Sequence, residues 1–125
     1  MTNTELRELD AKIETEIFGR CPHLHYQFTT GAFPRHDYIC SECSQTFNAP
    51  HCPQYHRSWD AVFGLLVPEM ERRKFELLYE GKTVVSDKCY ASFVKPDTVR
   101  VEELHADGRI AILLSALAAV EMEKK

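Results

Sequence analysis

The sequence predicts one α+β domain in which a small antiparallel sheet packs between helices. Apolar residues recur at helical intervals near both ends of the chain and after residue 57, whereas short alternating runs of apolar and polar residues lie between residues 75 and 102. A chain of 125 residues is long enough for one hydrophobic core and too short for two. We therefore expect residues 1–125 to form a single domain.

The first helix is expected over residues 2–18. Thr2 and Glu5 have the spacing of a capping box, and Gly19 provides a stop signal. An apolar stripe runs along one face of this helix: Leu6, Leu9, Ile13 and Ile17. In so small a domain, this stripe is expected to pack against the core.

Residues 57–125 are expected to form a helix–sheet–helix core that helix 2–18 completes. Ser58 can cap a helix in which Trp59 contributes to the core, and Pro68 either bends this helix or breaks it at Val67. Cys89 lies in an apolar run and is expected to be buried. Strands are predicted over residues 75–80, 88–94 and 98–102, and a final helix from residue 107 onwards.

Residue types that bind soft metals are concentrated between residues 21 and 56. This stretch holds four of the five cysteines and five of the six histidines. The first twenty residues lack the apolar core of a signal peptide, and an odd number of cysteines favours reduced thiols over a disulfide framework. We therefore expect a cytoplasmic protein whose thiols are free to bind a metal, with zinc as the leading candidate.

The most specific motif is Cys40-x-x-Cys43, because two cysteines at this spacing can direct both thiolates at one ion across a tight turn. Cys21-x-His23 precedes an alternating run, and a β-hairpin would bring the two pairs together. The sequence therefore predicts an inserted, zinc-ribbon-like hairpin over residues 20–56, with Cys21, His23, Cys40 and Cys43 as zinc ligands. Cys52 competes with His23 for the fourth position.

The charge balance disfavours general binding to nucleic acid. Nineteen acidic and fifteen basic residues give a net charge of −4, so no global positive field surrounds the protein. A zinc-lobe nucleic-acid site would draw on Arg20, Arg35 and Arg57, but Asp37 and Glu42 offset two of these charges. No apolar run is long enough to predict a membrane span.

The sequence also permits a nucleotide site, since guanidinium groups and an aromatic face suit phosphate and base. The candidate contacts are Tyr55, Arg57, Arg72 and Arg73. Enzymatic motifs are missing: there is no phosphate-loop glycine pattern, serine elbow or paired-carboxylate constellation. We therefore expect a non-enzymatic protein.

Several of these segments together resemble small bacteriophage proteins with the phage ABA-sandwich domain. They are Ile17-Phe18-Gly19 at the end of the first helix, the Cys/His pair with Cys40-x-x-Cys43, the segment around Trp59-Asp60-Ala61, the following sheet and the alanine-rich last helix. The resemblance implies a phage-encoded accessory protein acting in the bacterial cytoplasm, and it carries over no catalytic residues.

Three hypotheses follow for function. The first is a zinc-stabilised module that binds a host or phage protein. The second is a sponge that sequesters a nucleotide signal of bacterial immunity, an anti-defence role. The third is nucleic-acid binding through the zinc lobe.

Overall fold

The computed structural model describes residues 2–23, 25–28, 38–47, 54–96 and 102–124, and its fold is α+β, as predicted. Helix α1 spans Asn3–Lys12 and continues as a π-helical turn over Ile13–Ile17. Thr2 and Glu5 form the predicted capping box, each side chain accepting a hydrogen bond from the other's backbone N–H. Gly19 follows with a φ of 66°, a conformation that glycine adopts without strain.

A second helical stretch runs without interruption from Trp59 to Arg72. It consists of α2 (Trp59–Ala61), a π-helical turn (Val62–Leu66) and α3 (Val67–Arg72). Ser58 caps it, as predicted, by accepting a hydrogen bond from the Ala61 N–H. The helix does not break at Val67. A wider π-helical turn ends at Leu66, two residues before Pro68, and accommodates this proline, which has no N–H and crowds the preceding turn.

The main sheet is antiparallel and has the order β4–β5–β6. Its strands are β4 (Glu76–Glu80), β5 (Cys89–Val94) and β6 (Glu103–His105). Residues 97–101 lie outside the described part of the chain, so the predicted strand over residues 98–102 is described only at Glu102, which is not in a strand. The second partner of β5, after β4, is β6, which begins at Glu103, immediately after the predicted range.

Helix α4 (Gly108–Glu123) packs against β5 and forms the centre of the core. Ser115 is fully buried and its Oγ accepts a hydrogen bond from the Phe93 N–H at 2.9 Å, which links helix to sheet. Cys89 is buried, as predicted. Within the described ranges, no helix combines the length and apolar character needed to cross a membrane.

The expectation that Trp59 belongs to the core was wrong, since 40% of this residue is exposed. The buried residues of its helix are Val62, Leu66, Val67 and Met70, and Tyr55 occupies the core with them. Trp59 lies at the rim instead, where its ring stacks on Phe63.

A second antiparallel sheet lies in the cysteine-rich stretch. It has the order β1–β2–β3, with β1 over Tyr26–Phe28, β2 over Tyr38–Cys40 and β3 over Thr46–Phe47. The pairing of β1 with β2 agrees with the predicted hairpin strands. Strand β3, which pairs with β2 after the Cys-x-x-Cys turn, was not predicted. We call residues 20–23, 25–28 and 38–47 the Cys/His lobe. Its status as an insertion stays a prediction.

Replacing Asp107 by alanine should destabilise the protein by about 1 kcal/mol, because its carboxylate caps α4 by accepting a hydrogen bond from the Arg109 N–H. Burial alone would raise the pKa of Asp107, but hydrogen bonds and charge from Arg109 hold it below its ordinary value of 3.8. The ionised form is thus favoured by folding. The difference in the free energy of unfolding between wild type and Asp107→Ala should have its full value above pH 3.8 and should shrink as the pH falls below 3.8. Urea titrations at several pH values measure it.

Candidate metal centre

Four side chains converge at the edge of the Cys/His lobe. Cys21 and His23 follow the end of the first helical stretch, Cys40 ends β2, and Cys43 lies in the turn after it. One potential ligand atom from each lies within 4.8 Å of all the others. These are the four residues that the sequence predicted as zinc ligands.

Two of the separations between these atoms match those of a four-coordinate metal site. The Cys21 and Cys40 Sγ atoms are 3.7 Å apart, and Cys43 Sγ lies 3.4 Å from His23 Nδ1. A tetrahedral zinc with ordinary bond lengths places two sulfurs about 3.8 Å apart and a sulfur and a nitrogen about 3.5 Å apart. The sulfur separation is far longer than a disulfide bond of about 2.05 Å. These two separations are therefore compatible with a metal site of three thiolates and one imidazole.

Backbone hydrogen bonds hold the turn that carries two of the ligands. The Ser44 N–H donates to the Cys40 carbonyl at 3.0 Å, and the Cys40 N–H donates to the Gln45 carbonyl at 2.9 Å. The Ser41 N–H donates to the His25 carbonyl across to β1. The hydrogen bond from Ser41 to His25 thus links the turn after β2 to the start of β1.

Ser44 has a φ of 63°, in the left-handed region that glycine adopts most readily. Ser44→Gly should therefore stabilise the metal-loaded protein by about 0.5–1 kcal/mol, whereas Ser44→Ala should not. Urea unfolding of the three proteins at equal zinc content measures the difference. Equal stabilities for the glycine and alanine variants would contradict the role of backbone strain.

The thiols of Cys40 and Cys21 differ in acidity. A hydrogen bond from the His23 side chain and, next, backbone N–H groups of Cys43 and Glu42 lower the pKa of Cys40 to about 6. The His23 N–H also lowers the pKa of Cys21, but burial and the neighbouring thiols outweigh it and raise this pKa to about 11. One thiolate is therefore favoured in the cluster, and a divalent cation would allow the others to ionise.

A cleft of about 580 Å³ lies beside the cluster and is lined in part by Glu14, Arg20 and Gln45. Glu14 is buried and accepts hydrogen bonds from the Arg20 guanidinium at 2.8 Å and from the Tyr55 hydroxyl. Burial and the Glu14 carboxylate raise the pKa of Tyr55. The acidic wall of the cleft is therefore occupied by protein hydrogen bonds.

A second buried pair lies one helical turn earlier. Asp10 Oδ1 accepts a hydrogen bond from the backbone N–H of His56 at 3.1 Å. Asp10 Oδ2 forms a second hydrogen bond, with Nδ1 of the His56 ring, at 2.5 Å. Burial raises the pKa of Asp10, although the hydrogen bonds with His56 act in the opposite direction. Sequence patterns did not indicate either network, since each joins residues more than 40 positions apart. The acidic residues on the apolar side of α1 are the signal that could have indicated them.

Three of the four residues proposed for nucleotide contact are buried or bonded within the protein. Tyr55 is fully buried, so the expectation that it offers a stacking face was wrong. Arg73 donates to the Ile17 carbonyl, and Arg72 pairs with Glu69 on its own helix. Arg57 is exposed, and its carbonyl accepts a hydrogen bond from Arg109.

The remaining site predictions fall outside the described residues. These include Cys52, the alternative fourth ligand, and Arg35, which the nucleic-acid hypothesis used. Within the described ranges, Cys21, His23, Cys40 and Cys43 form the group that can hold a metal ion.

Comparisons with protein-family models, with curated proteins and with solved structures find no match to this chain. The resemblance to phage ABA-sandwich proteins therefore stays a prediction.

Proposed function

We propose that Cys21, His23, Cys40 and Cys43 bind one structural zinc ion, and that the protein is a non-enzymatic module that binds another protein in the cytoplasm. The observation that carries the proposal is the approach of four ligand atoms to within 4.8 Å of one another. The phage origin that the sequence resemblance implies remains a prediction within it.

The donor set favours zinc among the divalent metals. Three thiolates and one imidazole are soft or borderline ligands, which suit zinc and not the oxygen-preferring calcium or magnesium. Four protein donors complete a tetrahedron and leave no position for a reactive water. The adjacent carboxylate, Glu14, is hydrogen-bonded to Arg20 and Tyr55 and does not act as a free base. These features support a structural role for the metal.

Metal binding would provide most of the free energy that keeps the Cys/His lobe folded. Among the lobe side chains that the structure describes, Cys40 alone is buried, while Tyr38 and Ile39 are half-buried. So little apolar burial does not offset the entropy of ordering the chain. Zinc binding therefore fixes a surface whose exposed polar residues include Glu42 and Gln45, and this surface is the proposed contact for a protein partner.

Affinity capture from bacterial extracts tests this function. The zinc-loaded protein should retain a partner that the double variant Glu42→Arg/Gln45→Ala loses, although the variant still binds one zinc. Glu121→Arg is the matched control, because it reverses an exposed charge on α4, which is not part of the lobe. A partner that binds every lobe-surface variant as well as wild type would contradict the proposal.

A further inference from the structure

The candidate metal centre takes its ligands from two parts of the fold. Cys40 ends β2 and Cys43 lies in the turn after it, whereas Cys21 and His23 lie on the stretch that leaves the first helix. We call residues 17–20, which directly precede the first ligand, the approach segment. None of the lobe residues that the structure describes belongs to the hydrophobic core cluster. The meeting of the two ligand pairs therefore depends on where the approach segment is held.

Contacts with the core fix the start of the approach segment. The Arg73 guanidinium donates a hydrogen bond to the Ile17 carbonyl. The Phe18 ring stacks on the buried ring of Tyr55, with 6.0 Å between the centroids and 7° between the planes. Gly19 then turns the chain out of the helix with its positive φ. The chain thus leaves the helix along a path that core residues define.

Arg20, the last residue of the approach segment, is bonded twice to Glu14. Its backbone N–H donates to the Glu14 carbonyl at 2.9 Å, and its guanidinium donates to the Glu14 carboxylate at 2.8 Å. The guanidinium also lies 4.6 Å from the centre of the Phe18 ring. The Glu14 side chain is only 5% exposed. A buried carboxylate therefore holds both the backbone and the side chain of the residue that precedes Cys21.

Glu14 stands close to the metal centre without belonging to its ligand group. It lines the same cleft as three of the four candidate ligands, and within the described ranges the group that can hold a metal does not include it. Its carboxylate accepts hydrogen bonds from Arg20 and from the Tyr55 hydroxyl. Any effect of Glu14 on metal binding therefore passes through Arg20.

We propose that Glu14 is a positioning residue for the metal centre: by holding Arg20 it fixes the approach segment and so places Cys21 and His23 for the metal. This inference rests on the proposed zinc site. A fixed approach segment has less chain entropy to lose when the metal binds, so loss of the Glu14–Arg20 pair weakens binding. Partners that orient metal ligands change metal affinity by about 10–100-fold. Glu14 acts through a length of chain and not by bonding a ligand, so we expect about tenfold.

The other buried carboxylate of the first helical stretch separates positioning from general stability. Asp10 is 2% exposed and Glu14 is 4% exposed, and both bond to residues of the short helix Tyr55–Arg57. The partner of Asp10 is His56, which lies outside the approach segment. Asp10→Asn should therefore destabilise the core and leave metal affinity unchanged.

Competition between the reduced full-length chain and a chromophoric chelator, for zinc and for cobalt(II), tests the proposal. Glu14→Gln and Arg20→Gln should each weaken metal binding about tenfold. The double variant should bind no more weakly than either single variant, because the two residues act as one pair. The visible absorption of bound cobalt(II), which reports ligand geometry, should change in these variants and stay as in wild type in Asp10→Asn.

The outcomes distinguish the positioning role from the zinc site itself. Wild-type affinity in Glu14→Gln and Arg20→Gln would overturn the positioning role and leave the zinc site standing. Equal weakening by Asp10→Asn would also overturn it, because affinity would then follow core stability. Should Glu14→Gln fail to fold, Arg20→Gln carries the test, since its side chain is 55% exposed. A wild type that binds neither metal would contradict the zinc site and this inference with it.

Discussion

Removing zinc should unfold the Cys/His lobe while the helix–sheet core stays folded. Structural zinc contributes on the order of 10 kcal/mol in small zinc domains, and the lobe's described side chains include no buried residue besides Cys40. The core has its own cluster of buried apolar residues around α4 and β5. Hydrogen exchange with and without a chelator measures the effect: protection of the Ser41 and Ser44 amides should fall roughly a thousandfold.

The control for this experiment lies within the same chain. Amides of β5, paired on both sides by β4 and β6, should keep their protection after chelation. Cys43→Ser should reproduce the effect of the chelator, whereas Cys89→Ala, which changes a buried thiol outside the cluster, should still bind zinc. Unchanged protection of Ser41 and Ser44 after complete removal of zinc would contradict the structural role.

His56→Ala should destabilise the core by about 3–5 kcal/mol, because it leaves the buried Asp10 carboxylate without its side-chain partner. Asp10 cannot reach water to recover the lost interaction, since only 2% of the residue is exposed. The pKa of Asp10 is already raised by burial and should rise further in the variant. Equilibrium unfolding in urea gives the change in the free energy of unfolding.

A double-mutant cycle separates the pair from the rest of the core. Asp10→Ala/His56→Ala should cost clearly less than the sum of the single substitutions, because it leaves no buried charge unpaired. Glu16→Gln provides the matched control: Glu16 pairs with Lys124 on the surface, and its removal should have little effect. Additive costs for Asp10 and His56 would show that the two residues do not act as a pair.

The features that the sequence predicted correctly depend on local patterns. The capping box of Thr2 and Glu5, the cap at Ser58 and the Cys40-x-x-Cys43 turn each involve residues three positions apart, so their spacing alone identifies them. Cys21 and His23 were predicted as the other two ligands because a tetrahedral metal ion needs four.

The features that the sequence did not predict depend on contacts between distant parts of the chain. Asp10 and Glu14 read as polar residues of an amphipathic helix, yet their partners His56 and Tyr55 lie more than 40 residues away. Trp59 is a large aromatic residue of the kind that is often buried, but in this fold Tyr55 lies in the core and Trp59 does not. Periodicity shows which residues are apolar; it does not show which of them the tertiary packing leaves at the rim.

Native mass spectrometry tests the central claim most directly, on protein purified from bacterial cells without added metal. Wild type and Cys52→Ser should each carry one zinc ion per chain, which is lost on denaturation. Substitution of Cys21, His23, Cys40 or Cys43 by serine or alanine should abolish or strongly reduce zinc binding. A wild type without metal, or zinc that persists in all four variants, would contradict the assignment of these residues as a zinc site.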